Sequence, residues 1–262
     1  MRALSIASTG MLAQQTNVEV IANNLANMNT TGYKAQRAAF QDLLYQNVQQ
    51  AGAQSSDTGT LLPSGVQLGA GVRTAAIYRM TKAGDMKNTT NPYDMAVNGA
   101  GYFRIQMPDG TDSYTRDGNF SLSSSGQLVT QDGYTVQPGI NVPPTAIGVT
   151  VNAQGLVQAT IPGQTAMQTV GQLELTRFPN EGGLRALGDN LLAETSASGS
   201  PQAGVPGSTG YGTIQQYFLE TSNVDAVSEI TSLIAAQRAY EMNSKVITSA
   251  DQMLAETAKL GG

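Results

Sequence analysis

The chain has 262 residues, enough to bury a sizeable core, but only 13% of them are charged, about half the usual fraction of a globular domain. A net charge of -5 with 14 Lys and Arg, and no basic stripe, argues against a reader of nucleic-acid phosphates. With neither Cys nor His, the chain has no thiol nucleophile, no imidazole base and none of the usual zinc or copper ligands.

The opening Met1-Arg2-Ala3-Leu4-Ser5-Ile6-Ala7 imitates a signal peptide. Ser8, Thr9, Gly10, Gln14 and Gln15 break the apolar core, so it reads as part of the mature fold. From Leu4 to Met28 apolar residues recur seven apart: Leu4, Met11, Val18 and Leu25 on one row, Ala7, Ile21 and Met28 on the other. That spacing predicts a helix with a narrow, weakly apolar seam. Asn27-Met28-Asn29-Thr30-Thr31-Gly32 should end it, because these residues favour turns and left-handed backbone.

Residues 34–50 lean helical on local spacing, from Phe40, Leu43 and Leu44. A polar insert from Gln50 to Thr60 follows, containing Gly52, Gln54 and Ser55, and then Leu61-Leu62-Pro63-Ser64-Gly65-Val66. The middle of the chain reads as β-structure, with strands expected within 72–80, 94–107, 113–122, 127–137 and 149–178. Asp109-Gly110, Asp117-Gly118 and Asp132-Gly133 are each a two-residue hairpin signal. Ser196 to Gly212 reads as a Gly/Ser/Pro loop. A last helix is expected from Ser222, as N-cap of a capping box with Asp225. Its seam is Ala226, Leu233, Tyr240, Ile247 and Leu254. At 1.5 Å per residue the two helices would be rods of about 40 and 57 Å.

No catalytic or metal-binding constellation stands out. Gly69-Ala70-Gly71 and Gly99-Ala100-Gly101 open no helix of a βαβ unit and read as turns or close strand crossings. The Asp-Gly pairs lack the alternating ligands and terminal Glu of a calcium loop. Three glycosylation sequons, at Asn29, Asn88 and Asn119, read as chance. A spatial pair of carboxylates for glycan hydrolysis stays open as an alternative, as does an extracellular filament or adhesin subunit.

Two segments carry a resemblance. Ala22-Asn23-Asn24-Leu25-Ala26-Asn27-Met28-Asn29-Thr30-Thr31-Gly32-Tyr33-Lys34 resembles the helix-to-body junction of the axial proteins of the bacterial flagellum, the rod, hook and hook-associated subunits. Ser222-Asn223-Val224-Asp225 and the run Gln237 to Ile247 resemble that family's C-terminal signature. Tyr114 to Phe120 and Gly126 to Thr130 are shared with its hook and rod members, while the segment from Gln50 to Val72 is most similar to that of distal-rod subunits.

The resemblance implies an α+β fold: terminal helices paired as a coiled-coil-like domain (1–30 and 223–262), a connecting segment with an extended hairpin arm (31–72 and 210–222), and a β-rich body (73–209). It implies an arm over 41–72 against the helical reading there. It implies no enzyme and no cofactor. The expected product is a stiff hollow drive shaft, with hook, proximal-rod or non-flagellar filament subunits as alternatives. Assembly-interface residues would be Leu4, Met11, Val18, Ile21, Leu25, Leu233, Tyr240, Ile247 and Leu254. Junction residues would be Asn23, Asn24, Ala26, Asn27, Thr30, Gly32 and Tyr33, and arm residues Gly52, Gln54, Ser55, Pro63 and Gly65, the last where a Cβ would clash. The implied partners are the chain itself, proximal-rod and hook subunits, and the outer-membrane and peptidoglycan rings. The implied location is the periplasm-spanning basal body, reached through the flagellar secretion channel with no cleaved signal.

Overall fold

The computed structural model describes residues 2–50, 64–164 and 166–260, the side chain of Leu260 excepted. The chain divides into two compact units: 1–25, 36–78 and 225–262 form one, and 26–35 with 79–224 form the other.

The first unit holds helix α1 (Arg2–Ala26), strands β1 (Gln36–Asp42), β2 (Tyr45–Gln49), β3 (Val66–Gly69) and β4 (Val72–Arg79), and helix α2 (Ala226–Leu260). Buried positions on α1 are Ala7, Ala13, Val20, Ile21 and Asn24. Among the described side chains of α2 only Ala236 and Ala250 are buried. Asp225 caps α2: its Oδ1 accepts from the Val227 and Ser228 amides at 3.0 and 3.4 Å, and its carbonyl accepts from the Glu229 amide at 2.9 Å. The expected cap, Ser222, instead bonds the Val224 amide within the preceding turn, so the helix starts three residues later than the capping-box pattern suggested.

Around 36–49 the local helical reading gives way to strands. β1 pairs with β4, where Arg73 donates to Gln41 at 3.1 Å, and β2 pairs antiparallel with β3, Tyr45 opposite Gly69. Three apolar residues could not anchor a helix here, whereas distant partners satisfy the extended backbone. Tyr45 lies over Gly69, its ring within ordinary contact distance of where a Cβ would stand. Gly52, Gln54, Ser55 and Pro63 fall outside the described residues.

The second unit carries the β-structure. Its largest sheet has seven strands in the order β16 (Arg185–Gly188), β17 (Leu191–Ala193), β8 (Asp112–Thr115), β7 (Phe103–Gln106), β11 (Thr135–Val136), β10 (Leu128–Thr130) and β9 (Phe120–Leu122). A three-stranded sheet joins β12 (Gly148–Val151), β13 (Leu156–Thr160) and β14 (Gln168–Gln172). Three two-stranded pairs complete it: β15 (Leu175–Arg177) with β18 (Gln202–Gly204), β19 (Thr213–Gln216) with β6 (Met95–Asn98), and β20 (Phe218–Glu220) with β5 (Met86–Asn88). Residues 202–204 thus form a strand inside the expected loop.

Alternation along β7 sends Phe103 and Ile105 into the main core beside Met95, Val97, Phe120 and Ile214. Phe103 and Phe120 meet edge-on with ring centroids 5.1 Å apart. A second cluster contains Tyr114, Leu192 and Phe178, the Tyr114 and Phe178 rings 4.7 Å apart.

Two Asp-Gly pairs do turn hairpins, though with three-residue loops. Gly110 and Gly133 have φ of +82° and +85°, while Asp109 and Asp132 keep negative φ, which rules out a two-residue type I′ turn. Met107 exchanges bonds with Thr111 and Gly110, and Thr130 with Tyr134 and Gly133. Asp117-Gly118 does not turn a hairpin, since β8 and β9 are not neighbours. Gly118 instead lets two backbones touch: an added Cβ would fall 1.5 Å from the Met95 carbonyl oxygen, and the Met95 amide donates to the Gly118 carbonyl.

These positions separate two costs of replacing glycine. Gly110→Ala meets nothing within 4 Å and carries only the strain of positive φ, an expected loss of about 1 kcal/mol. Gly118→Ala forces the backbones apart and should lose about 3 kcal/mol or more in urea unfolding. Equal losses would refute this assignment.

Candidate assembly site: the helix pair and the buried junction

In the helical unit α1 and α2 touch at two levels. Gly10 faces Asn243 so closely that an added Cβ would lie 2.9 Å from its Nδ2. Asn24 Nδ2 reaches Glu229 Oε1 at 3.3 Å. From Gly10 to Asn24 along α1, and from Asn243 back to Glu229 along α2, the chain advances by the same number of residues. The helices therefore run antiparallel in a constant register. Of the expected interface residues, Ile21 is buried and Leu4, Met11, Val18, Leu25, Leu233 and Ile247 are half-buried, while Tyr240 and Leu254 are exposed.

Asn24, 1% exposed, does more than touch α2. Its Nδ2 donates to the Gln36 carbonyl and its Oδ1 accepts from the Gln36 amide, both at 2.8 Å. One side-chain amide thus imitates a strand neighbour and fixes β1 beside α1. Aspartate could accept but not donate.

The β-rich unit holds the charged counterpart. Glu220, at the end of β20, has a fully buried carboxylate. Oε1 accepts from Lys34 Nζ and, at 3.0 Å, from the Gly84 amide; Oε2 pairs with Arg116 Nε at 3.0 Å. Lys34 also donates to the Lys82 carbonyl, and Arg116 Nη1 to that of Gly99 at 2.9 Å. Burial lowers the pKa of Lys34, and its bond to Glu220 opposes that shift. Asn223 binds the same segments through a neutral amide, accepting from the Ala35 amide at 2.7 Å and donating to the carbonyls of Met80 and Lys82.

Gly32 packs against this cluster. Its φ is +68°, its amide donates to the Glu220 carbonyl at 2.8 Å, and an added Cβ would lie 2.7 Å from the Asp117 amide nitrogen. Thr30 donates to the Asn27 side chain, while Tyr33 is half-buried and Asn23 and Ala26 lie on exposed faces. Gly65 is a half-buried residue just before β3. Among the described residues no group of three or more Asp and Glu is placed to hold a metal.

The sequence pattern of the flagella basal body rod protein matches residues 4–34, that of the flagellar hook protein FlgE/F/G D1 domain 96–159, and that of the flagellar basal body rod FlgEFG protein C-terminal region 215–260. The chain is 56% identical over 260 residues to the flagellar basal-body rod protein FlgG of Caulobacter vibrioides, covering 99% of both sequences. It is 51% identical to that of Agrobacterium fabrum, again covering 99% of both. For Borreliella burgdorferi the identity is 46%, over 97% of this chain and 96% of the relative. The chain belongs to the flagellar basal-body rod family.

That family is structural, not enzymatic. Each of its three matched segments contributes one member of the buried cluster: Lys34, Arg116 and Glu220. Sequence reasoning included Lys34 and Arg116 in motifs without a role and passed over Glu220. The available signal was weak: in so uncharged a chain, a carboxylate closing the apolar run Tyr217-Phe218-Leu219 needs a buried partner.

Glu220→Gln keeps the shape but leaves two buried cations beside a neutral amide. The expected loss in urea unfolding is about 3–5 kcal/mol. Lys34→Gln should cost less, because Arg116 still neutralises Glu220. The reverse order would refute this account of the cluster.

Proposed function

We propose that this rod-family chain is the distal-rod subunit, polymerising into a stiff hollow helical shaft that transmits torque from motor to hook. The observation that carries the reading is full-length similarity to proteins named FlgG, at both chain ends and through the middle. In the shaft, heptad packing of α1 and α2 forms a coiled-coil-like tube wall around a central channel. Apolar residues exposed on the single chain, such as Val227, Tyr240, Met242 and Leu254, then meet neighbouring subunits. Heterologous contacts that do not close into a ring generate such a filament. Residues 1–30 with 223–262 act as the assembly domain, 31–72 with 210–222 as the connector and arm, and 73–209 as the body.

The shaft's ends join proximal-rod and hook subunits, and the outer-membrane and peptidoglycan rings surround it. Subunits reach this periplasm-spanning site through the flagellar secretion channel without a cleaved signal. No helix among the described residues is long and apolar enough to cross a membrane.

Electron microscopy of the purified protein should show hollow filaments. Tyr240→Ala with Leu254→Ala should raise the critical concentration for assembly about tenfold or more, each truncation removing roughly 1 kcal/mol or more of apolar burial. An unchanged critical concentration would overturn the placement of these residues in the contact.

The arm, residues 46–66, adds a layer of contacts that stiffens the shaft. Its deletion should leave a polymer of lower bending stiffness, measured from filament curvature. Equal stiffness would sink the idea.

A further inference from the structure

Within the helical unit a cleft of about 350 Å³ opens between the first turns of α1 and the β2–β3 ribbon. Arg2, Ala3 and Ile6 form one wall, and Leu68, Gly69 and Ala70 the other. Ile6 and Leu68, 42% and 46% exposed, line it.

The register of the helix pair bears on what fills this cleft. The contacts Gly10 to Asn243 and Asn24 to Glu229 place Ile6 level with Ile247, and Arg2 level with Asp251. Residues 252–260 of α2 therefore run past the start of α1, an overhang of about 13 Å at 1.5 Å per residue. Residues 252–259 are all exposed, and Met253 is 65% exposed. A helix end this exposed is marginal in water and gains from a partner.

We infer that the overhang of one copy seats in the cleft of a second copy, Met253 against Ile6 and Leu68, and Glu256 against Arg2. The inference rests on the polymer reading above and specifies one of its contacts. Bringing Met253 level with a neighbour's Ile6 requires a stagger of six residues, about 9 Å along the helix axis. In that register Glu256 comes level with Ala3, one residue from Arg2. The apolar and charged pairs thus fall into place together. Arg2 also stands at the positive end of the α1 dipole, which favours an incoming carboxylate. The contact uses different surfaces on the two copies, so it propagates rather than closes.

The absence of cysteine from the chain gives a clean test. Ile6→Cys and Met253→Cys proteins, one carrying a size tag, are mixed, polymerised and oxidised. Within one chain these positions are separated by the same 9 Å along the axis in addition to the spacing between helices, too far for a disulfide. A mixed disulfide dimer is expected from filaments, with none from unpolymerised protein and none from either variant alone. Leu68→Cys mixed with Met253→Cys should behave the same way. In parallel, Arg2→Glu should reduce polymer yield several-fold, and adding Glu256→Arg should restore it.

Filaments without the mixed dimers, or no rescue by the charge swap, would overturn the docking and leave the polymer reading standing. No filaments from the unmodified protein would overturn both.

Discussion

Glu220 carries one negative charge into the interior of the β-rich unit, where Lys34 and Arg116 bring two positive ones. None of the three is tolerable there alone, since a buried unpaired charge costs several kcal/mol. The carboxylate can be buried only when residues near the N-terminus, in the middle and near the C-terminus have come together. Segments far apart in sequence are thereby held to one arrangement: the Gly84 amide adds a bond to Glu220 Oε1 and the Lys82 carbonyl one to Lys34, while Oε2 is held by its charge pairing with Arg116 alone. Replacing such a cluster with apolar side chains could give equal or greater stability. What polar groups add is a single acceptable geometry.

Asn24 and Asn223 achieve a similar result without charge. Each spends both ends of a side-chain amide on backbone from another segment: Asn24 on Gln36, and Asn223 on Ala35, Met80 and Lys82. Such bonds are worth little net energy when made and cost more when one partner is lost. They define register more than they supply stability. The apolar seam between α1 and α2 complements them, since its buried positions on α2 are alanines and many larger apolar residues stay exposed.

The helices and the β-rich middle were legible because their signals are local: seven-residue spacing, Gly-punctuated strands, and turn residues after Ala26. Strand partners were not. Phe40, Leu43 and Leu44 suggest a helix until β4 and β3 supply distant edges for the backbone. Asp117-Gly118 looks like its two sister pairs until Met95 arrives against it. The β16–β17 hairpin, turned by Asp189 and Asn190 at φ of 51° and 58°, was missed because neither residue is Gly. The junction motif was visible as a pattern of Asn and Gly, but its physical cause lies at Glu220, almost two hundred residues away.

The two units thus divide the use of polar and apolar groups differently. In the β-rich unit a packed, mainly aliphatic core supplies stability, and the buried charges restrict how the segments can meet. In the helical unit the core is thin, and apolar surface is left over on α2. A chain that buried all of that surface internally would have nothing with which to bind copies of itself. One that exposed it without the fixed register of Asn24 and Gly10 would present it in many orientations, and assembly would lack a single geometry. Weak contacts suffice for a filament when every subunit presents several of them in one geometry, because an added subunit then makes them together. The buried amides of the helical unit and the buried charges of the β-rich unit each hold their own unit to one geometry.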